Sequence, residues 1–518
     1  MKKNTLMKLL AMLLVVATMV TCLVACGDDS GSKTDDPEGQ KTQGGVNPDE
    51  PTVELTGEEA DFLPEEKSYK NYEFMMYIQQ QQEWGLVHHA SLEDLEDPIN
   101  KALRERELLM EGKFKVIMTL NTELSAGGAL ANHLTSQEKG EKSFCDNIFL
   151  KGDESMQAAM AGRLSNLMAL EPINLEASYY DQRMQQSYRV NDTLYQISGD
   201  FDTIDELVTF GLLYNDWLYT NNGFYDTYGS PYQMVDNYEW TYERMMDLCA
   251  EVTSNEDGQW DINDTAGIVS ENQAGYYFFL GSGITPVAND EGNLTIGLND
   301  ATQRELATDI LEYLMALCSS EDFCIPYRDF AADAPLRDAS ANKDMFIGNR
   351  ALFRSSSLST TLNGMPDMQK DFGILPIPMY ESGQKAYYCS LNDVANRPLS
   401  IPRHVSNKQR AAEITEIVAY YSRYGGDESL YEAFFDRLAD AKICRKGEDR
   451  LMLTLIFTSK VFDMDRLLGT TGLYDAVSSA VGAGSTTGMG STLETCLKNA
   501  PAKLSGYIFQ FERNATEA

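Results

Sequence analysis

The feature that most limits how this chain can fold is an alternation of strand-like and helix-like segments beginning at Tyr72. Tyr72–Ile78 (YEFMMYI) is a short β-prone run. Asp97-Pro98 then offers a cap and a proline for a first helical turn, and Ile99, Leu103, Leu108 and Leu109 supply an apolar stripe, with Gly112 as its stop. Phe114–Leu120 reads as a second strand, a further helical segment follows, then Asn147–Leu150 reads as a third strand and Met156–Leu164 as a helix of small residues. This β-α-β-α-β-α order predicts a parallel sheet with crossover helices. Beyond Val190 come short strands separated by helices at Trp240–Val252, Ala301–Cys318 and Lys408–Tyr424, with no internal repeat. About 450 residues of such units exceed one domain and predict two α/β lobes.

The start of the chain has a different character. Lys2, Lys3 and Lys8 precede an apolar run from Leu9 to Val20, which is too short to span a bilayer and has the length of a secretory apolar region. Leu23-Val24-Ala25-Cys26 follows and matches the lipobox, in which the cysteine is lipidated and becomes the mature N-terminus. Residues 1–25 are therefore expected to be a lipoprotein signal peptide, with Cys26 the lipidation site. Gly27–Glu66 is nearly devoid of apolar side chains until Leu63, so it cannot offset its ordering entropy. Residues 26–67 are expected to form a disordered tether, roughly 35 Å in root-mean-square span. No later apolar stretch approaches the ~20 residues of a membrane-crossing helix. The expected location is the outer face of the cytoplasmic membrane, anchored by lipid.

With 79 acidic and 42 basic residues the formal charge is −37, which becomes −40 when the three signal lysines are removed. Such a field excludes nucleic acid as a partner and keeps the body soluble. Nine cysteines are present; after Cys22 and Cys26, seven remain at spacings that follow neither a disulfide framework nor a zinc pattern. Among the four histidines, His88 and His89 are adjacent and point apart on any regular element, so no metal site is predicted. HExxH, GxSxG and GxxxxGK[ST] are all absent. Asp261–Thr265 has the start of a calcium loop but lacks its closing glutamate, and is read as a polar turn before a strand at Gly267–Val269. Gly482–Gly490 (GAGSTTGMG) lacks a preceding strand and is read as a flexible loop.

Five further segments occur in a telling order. They are Tyr195–Asp200 (YQISGD) with Leu212–Asn215 (LLYN), Glu239–Glu243 (EWTYE), Gln273–Phe278 (QAGYYF), Met345–Phe353 (MFIGNRALF) and Asp371–Pro378 (DFGILPIP). Together with the lipobox they resemble the extracellular solute-binding proteins of carbohydrate ABC transporters, of the maltodextrin-binding type and in particular the Firmicutes lipoprotein group. The resemblance covers nearly all of the chain after the tether. Two departures stand out: Ser355-Ser356-Ser357-Leu358 replaces the family's Gly-Pro-Trp, and Ala274-Gly275 replaces an acidic-Pro pair before the aromatics.

The resemblance implies a two-lobed α/β fold of the periplasmic-binding-protein type (type II), with an interlobe cleft and a hinge. Lobe one is expected at residues 68–202 plus 374–423, and lobe two at 203–373 plus 424–518. The crossings are expected near Ser198–Phe210, Gly373–Pro378 and Tyr424–Tyr431. It also implies a non-catalytic receptor that closes on a sugar or oligosaccharide and delivers it, as a monomer without a cofactor, to ABC permease subunits. The alternatives are a receptor for another polar solute such as a peptide, a sensor-coupled receptor, or a surface glycoside hydrolase built on an unmarked carboxylate pair.

Sugar recognition needs flat rings for C–H faces and planar amides, carboxylates or guanidinium for hydroxyls. After the first strand, where such folds open on the cleft, stand Gln80, Gln82 and Trp84; a solvated loop with Trp84 packed on a neighbour is the other reading. Tyr276 and Tyr277, on an apolar YYFFL run, are expected to place one ring inward and one toward ligand, core packing of the pair being the other reading. Asp200 serves as a hinge residue or a hydroxyl acceptor, and Arg354 forks to a hydroxyl pair or to a lobe carboxylate. Trp217 and Trp240 are read as structural.

Overall fold

The computed structural model describes residues 63, 67–79, 97–121, 134–136, 139, 145–258, 260–319, 339–359, 365, 368–426, 429–438, 444–483 and 488–516. It shows the expected two-lobed α/β organisation, each lobe centred on its own four-stranded sheet. In the first sheet, β1 (Tyr72–Ile78) lies between β2 (Val116–Asn121) and β3 (Asn147–Phe149), parallel to both. The register sets Tyr72 against Val116 and Met76 against Asn147. Alternation along β1 buries Phe74 and Met76 on one side of the pleat. The helix Pro98–Leu109 connects β1 to β2 and starts as its residues dictate: Asp97 accepts a hydrogen bond from the Asn100 amide at 3.0 Å, and Pro98 opens the first turn. Its end differs from expectation. The chain passes through Gly112 in a wider turn, Met110–Phe114, and the reversal falls on Lys115 at φ 55°.

The second sheet has the order β5–β8–β4–β9, formed by β4 (Phe210–Asn215), β5 (Ala266–Val269), β8 (Ala351–Ser357) and β9 (Phe372–Leu375). Strand β4 runs antiparallel to β8 and β9, while β5 runs parallel to β8. Three smaller pieces finish the strands: the hairpin β6–β7 (Val287–Asp290, Asn293–Ile296), the pair β10–β12 (Cys389–Ser390, Lys460–Val461), and β11 (Leu399–Ser400) antiparallel to β3. Helices expected at Trp240–Val252, Ala301–Cys318 and Lys408–Tyr424 occur at Tyr242–Val252, Ala301–Ser319 and Lys408–Tyr424. The polar turn before β5 is also present: Asp264 accepts from the Asp261 amide and Asp261 from the Asn263 amide.

Two hydrophobic cores correspond to the two sheets. One gathers Phe74, Ile148, Ile197, Ile401 and Ile414; the other gathers Leu212, Trp240, Ile268, Phe353 and Ile374. The chain passes between them more often than the three expected crossings. Val287, Leu294 and Ile296 of β6–β7, and Ala500, Leu504 and Phe511 of the last helix (Ala500–Thr516), pack in the first core. Leu375, Ile377 and Met379 pack in the second, and the chain reaches the first core only at Leu391. Among the described residues no helix is long and apolar enough to cross a membrane. The lipobox and tether lie outside the described residues.

Candidate functional site

A cavity of about 250 Å³ opens at the end of the second sheet where β8 meets β4. It is lined by Phe210 from β4, Arg354–Ser357 from β8, Asn342 from the helix Ala339–Ile347, Glu271, Gln273 and Ala274 around the start of the helix Ala274–Gly281, and Asn392. Strand β8 holds its side chains firmly because it is paired on both sides: Arg354 stands opposite Leu213 of β4 and Val269 of β5. Phe353 packs on Trp240, with ring centroids 5.4 Å apart, so alternation turns Arg354 to the opposite face of the sheet.

Every residue of the helix Ala274–Gly281 is buried. It presses against the helix Leu473–Ala483, where a Cβ on Gly275 would meet Val481 Cγ2 at 2.8 Å. A side chain there would push the helix away, and only glycine allows the approach. Tyr277 is held beneath Phe210, with centroids 4.2 Å apart. Phe210 is thus a supported ring and, among the described residues, the single aromatic lining this cavity.

The polar wall is incompletely paired. Arg354 is 7% exposed, and its Nη1 has no hydrogen-bond partner. Burial lowers its pKa to about 10, and the carboxylates of Glu271 and Asp344 act on it only through space in the opposite sense. The Ser355 hydroxyl also lacks a partner. Asn342 donates to the Ser270 carbonyl at 2.7 Å, leaving its Oδ1 unpaired. Buried polar groups are normally satisfied, so this concentration marks a place suited to a polar ligand.

The residues named from sequence fare unequally. Arg354 lines the cavity. Gln80, Gln82 and Trp84 lie outside the described residues, as does Cys26. Tyr276 and Tyr277 both point inward, at 1% and 3% exposure, which corrects the expectation of one ring inward and one outward. The Tyr276 hydroxyl donates to Asp463 Oδ2 at 2.5 Å, and its ring meets Tyr474 edge-on at 5.3 Å. Asp200 pairs with Arg423 at 3.3 Å, at the passage between the two cores. Burial pushes its carboxyl up to about 7 against the pull of Arg423 and Lys460. Trp240 is buried and donates to the Pro376 carbonyl at 3.0 Å. Trp217 is instead 40% exposed, with Lys370 Nζ 5.7 Å from its ring centroid. Glu271, Asn342, Ser355 and Asn392 were not singled out by sequence. The serine run was legible as the departure after Phe353, but the pattern did not mark it as a cavity wall.

A second cavity of similar volume, lined by Arg183, Ser187, Thr285, Tyr388, Lys460 and Phe462 among others, lies beside β12. Its Lys460 is already engaged, by Asp181 at 2.7 Å, by Glu206 at 2.9 Å and by Asp205.

The two-lobed fold is one seen in solved extracellular solute-binding proteins. The chain is similar in structure to a cyclo/maltodextrin-binding protein solved with maltotetraose (TM-score 0.53, 13% identity, covering 85% of this chain and 99% of that one). It is likewise similar to an ABC substrate-binding protein of Listeria monocytogenes solved with cycloalternan (TM-score 0.51, 11% identity, 84% and 99% covered). A family 1 extracellular solute-binding protein of Bifidobacterium longum subsp. infantis matches with TM-score 0.50 at 13% identity, over 84% and 99% of the two chains. At these identities the likeness is one of fold. The sequence matches no protein-family model and no curated protein.

Proposed function

We propose that the protein is a non-catalytic solute receptor whose ligand, a sugar of one or two rings, binds in the cavity formed by Phe210, Glu271, Asn342, Arg354 and Ser355. The observation that carries this reading is a supported aromatic ring facing several unsatisfied polar groups, in a fold whose solved examples include proteins holding oligosaccharides. The volume of about 250 Å³ lies just below the roughly 300–1,000 Å³ common for small-molecule sites, which favours a short ligand over a long glucan chain. The ligand would bind best when both lobes touch it, because only a differential contact favours a closed state. Gln80, Gln82 and Trp84 are proposed as the contribution of lobe one. The first lobe would comprise most of residues 68–202 and 391–423, with β6–β7 and the last helix added.

The lipobox supports anchoring through Cys26 at the outer membrane face, and the fold supports delivery to an ABC permease. Cys26→Ser should move the protein out of the membrane fraction. The deciding experiment is a thermal-shift screen of the soluble body, residues 68–518, against mono- and disaccharides. A ligand present at a hundred times its dissociation constant should add about 2.7 kcal/mol of stability. Phe210→Ala should abolish that shift. Turnover of the sugar, or a shift that survives Phe210→Ala, would refute the assignment.

A further inference from the structure

Arg354 is the least explained charge in the described part of the molecule. It stands in the middle of a four-stranded sheet, paired through its backbone on both sides and more than nine-tenths buried. A guanidinium in that setting normally has a carboxylate in bidentate contact, because a buried unpaired cation is strongly disfavoured. Here Nη1 has no hydrogen-bond partner among the described residues. Glu271 and Asp344 influence the group through space without bonding to it, and Glu271 is instead engaged by the Gln273 side-chain amide. The charge therefore faces the cavity with no carboxylate bonded to it, though Glu271 shares the wall, and beside it stands a Ser355 hydroxyl with no partner among the described residues.

A neutral sugar would offer Arg354 only hydroxyl oxygens. Those satisfy its hydrogen bonds but add no bonded counter-charge, leaving only the through-space pull of Glu271 and Asp344. Among the described residues the lining is also poor in what neutral glucans use, since Phe210 is its one ring. An oxyanion resolves both points, because a carboxylate presents two coplanar oxygens to the guanidinium fork. Glu271 and Asn342 Oδ1, both acceptors, would then take hydroxyl donors from the same ligand.

On the basis of the sugar-receptor reading above, we propose that this cavity selects an acidic sugar, whose carboxylate docks on Arg354 while its ring hydroxyls donate to Glu271 and Asn342. Ligand charge becomes the main selector, and the ring rests against Phe210.

The test titrates the purified protein with D-glucuronate and D-galacturonate, their neutral counterparts glucose and galactose, glucose 6-phosphate, and inorganic phosphate. Uronates should bind about ten- to a hundredfold more tightly than the neutral sugars, the difference expected of a hydrogen bond to a charged group. Arg354→Gln should remove that preference, leaving the weak neutral affinity and an unchanged or higher melting temperature in the absence of ligand. Arg354→Lys should restore part of the preference. Equal or tighter binding of the neutral sugars, with Arg354→Gln indifferent, would overturn the acidic-sugar proposal and leave the receptor reading standing. Tighter binding of glucose 6-phosphate than of either uronate would replace the carboxylate by a phosphoryl group and overturn the sugar-acid assignment. Inorganic phosphate binding as well as any sugar would show a plain anion site and overturn the sugar component. If none of the sugars binds, both readings fall.

Discussion

Asp449 shows how one buried carboxylate can join three parts of a lobe. Its Oδ1 accepts from the Tyr232 hydroxyl at 2.6 Å and from the Ile374 amide of β9 at 2.8 Å, while Oδ2 accepts from the Lys446 amide at 3.1 Å. In the last contact the N3 carboxylate reaches back to the N-cap amide, satisfying a donor at the start of the helix Gly447–Thr458. Asp449→Ala leaves three donors without partners, and each unsatisfied buried group costs about 1–3 kcal/mol. Burial already pushes this carboxyl up to about 6, which offsets part of that sum. A net loss of about 2–4 kcal/mol is expected, seen as a lower urea midpoint at unchanged slope. A midpoint equal to wild type would show that the network contributes nothing. The candidate site was legible at this scale only in part. Arg354 could be picked because a cation directly after an apolar run is chemically conspicuous. Tyr276 and Tyr277 were misjudged because Ala274–Gly281 is apolar on every side, so no local pattern reveals that the helix Leu473–Ala483, some two hundred residues later, covers it.

Individual elements were the most legible level, and the reason is local chemistry. Asn407 accepts from the Arg410 amide and sets the start of the helix Lys408–Tyr424, whose bounds agree with expectation. Thr241 does the same for Tyr242–Val252, two residues later than the apolar run alone suggested. The partnerships of β9 were not legible. Its sequence, FGIL, reads equally well as a strand of either sheet, and its placement beside β4 depends on contacts with Tyr214 and Tyr232. A Cβ at Gly373 would collide with the Tyr214 ring and the Tyr232 hydroxyl, so a side chain there must displace the strand. Gly373→Ala is expected to destabilise by about 1–3 kcal/mol, the range for overpacking a well-filled core. Gly506 is the control, because it sits within the last helix with nothing near its Cβ. Gly506→Ala should stabilise by about 0.5–1 kcal/mol through helix propensity. Paired denaturation curves shifting in the same direction would contradict this account of β9.

At the scale of the whole molecule, the passage between the two cores concentrates buried carboxylates. Asp463 accepts from Tyr276 of the second core, and the Asp463 amide donates to Asp393, which also takes the Tyr188 hydroxyl from the first core. Burial, reinforced by neighbouring Asp465, pushes the Asp463 carboxyl up to about 7. Burial likewise raises Asp200 to about 7 and Asp449 to about 6, and lifts Asp393 well above the carboxylate range. The unfolded chain holds such groups near about 3.9. Between about pH 4 and 7 the folded protein therefore binds more protons than the unfolded one, and stability falls as pH rises through that window. Asp181 acts in the opposite sense. Burial would raise it, but the charge of Lys460 and its hydrogen bonds outweigh burial and hold it below its ordinary value, so its contribution is lost only below about pH 4. The chain's charge of −37 adds a repulsion that also grows with pH, and salt separates the two effects. Melting temperatures taken at pH 5 and pH 7.5 in high salt should still show the higher value at pH 5, because buried groups are poorly screened. Asp463→Asn removes one titrating group while keeping an acceptor for the helix cap Met464–Leu468, and should raise the value at pH 7.5 and narrow the gap. A melting temperature that rises from pH 5 to 7.5, or a gap unaltered in Asp463→Asn, would mean that these carboxylates stay ionised in the folded protein.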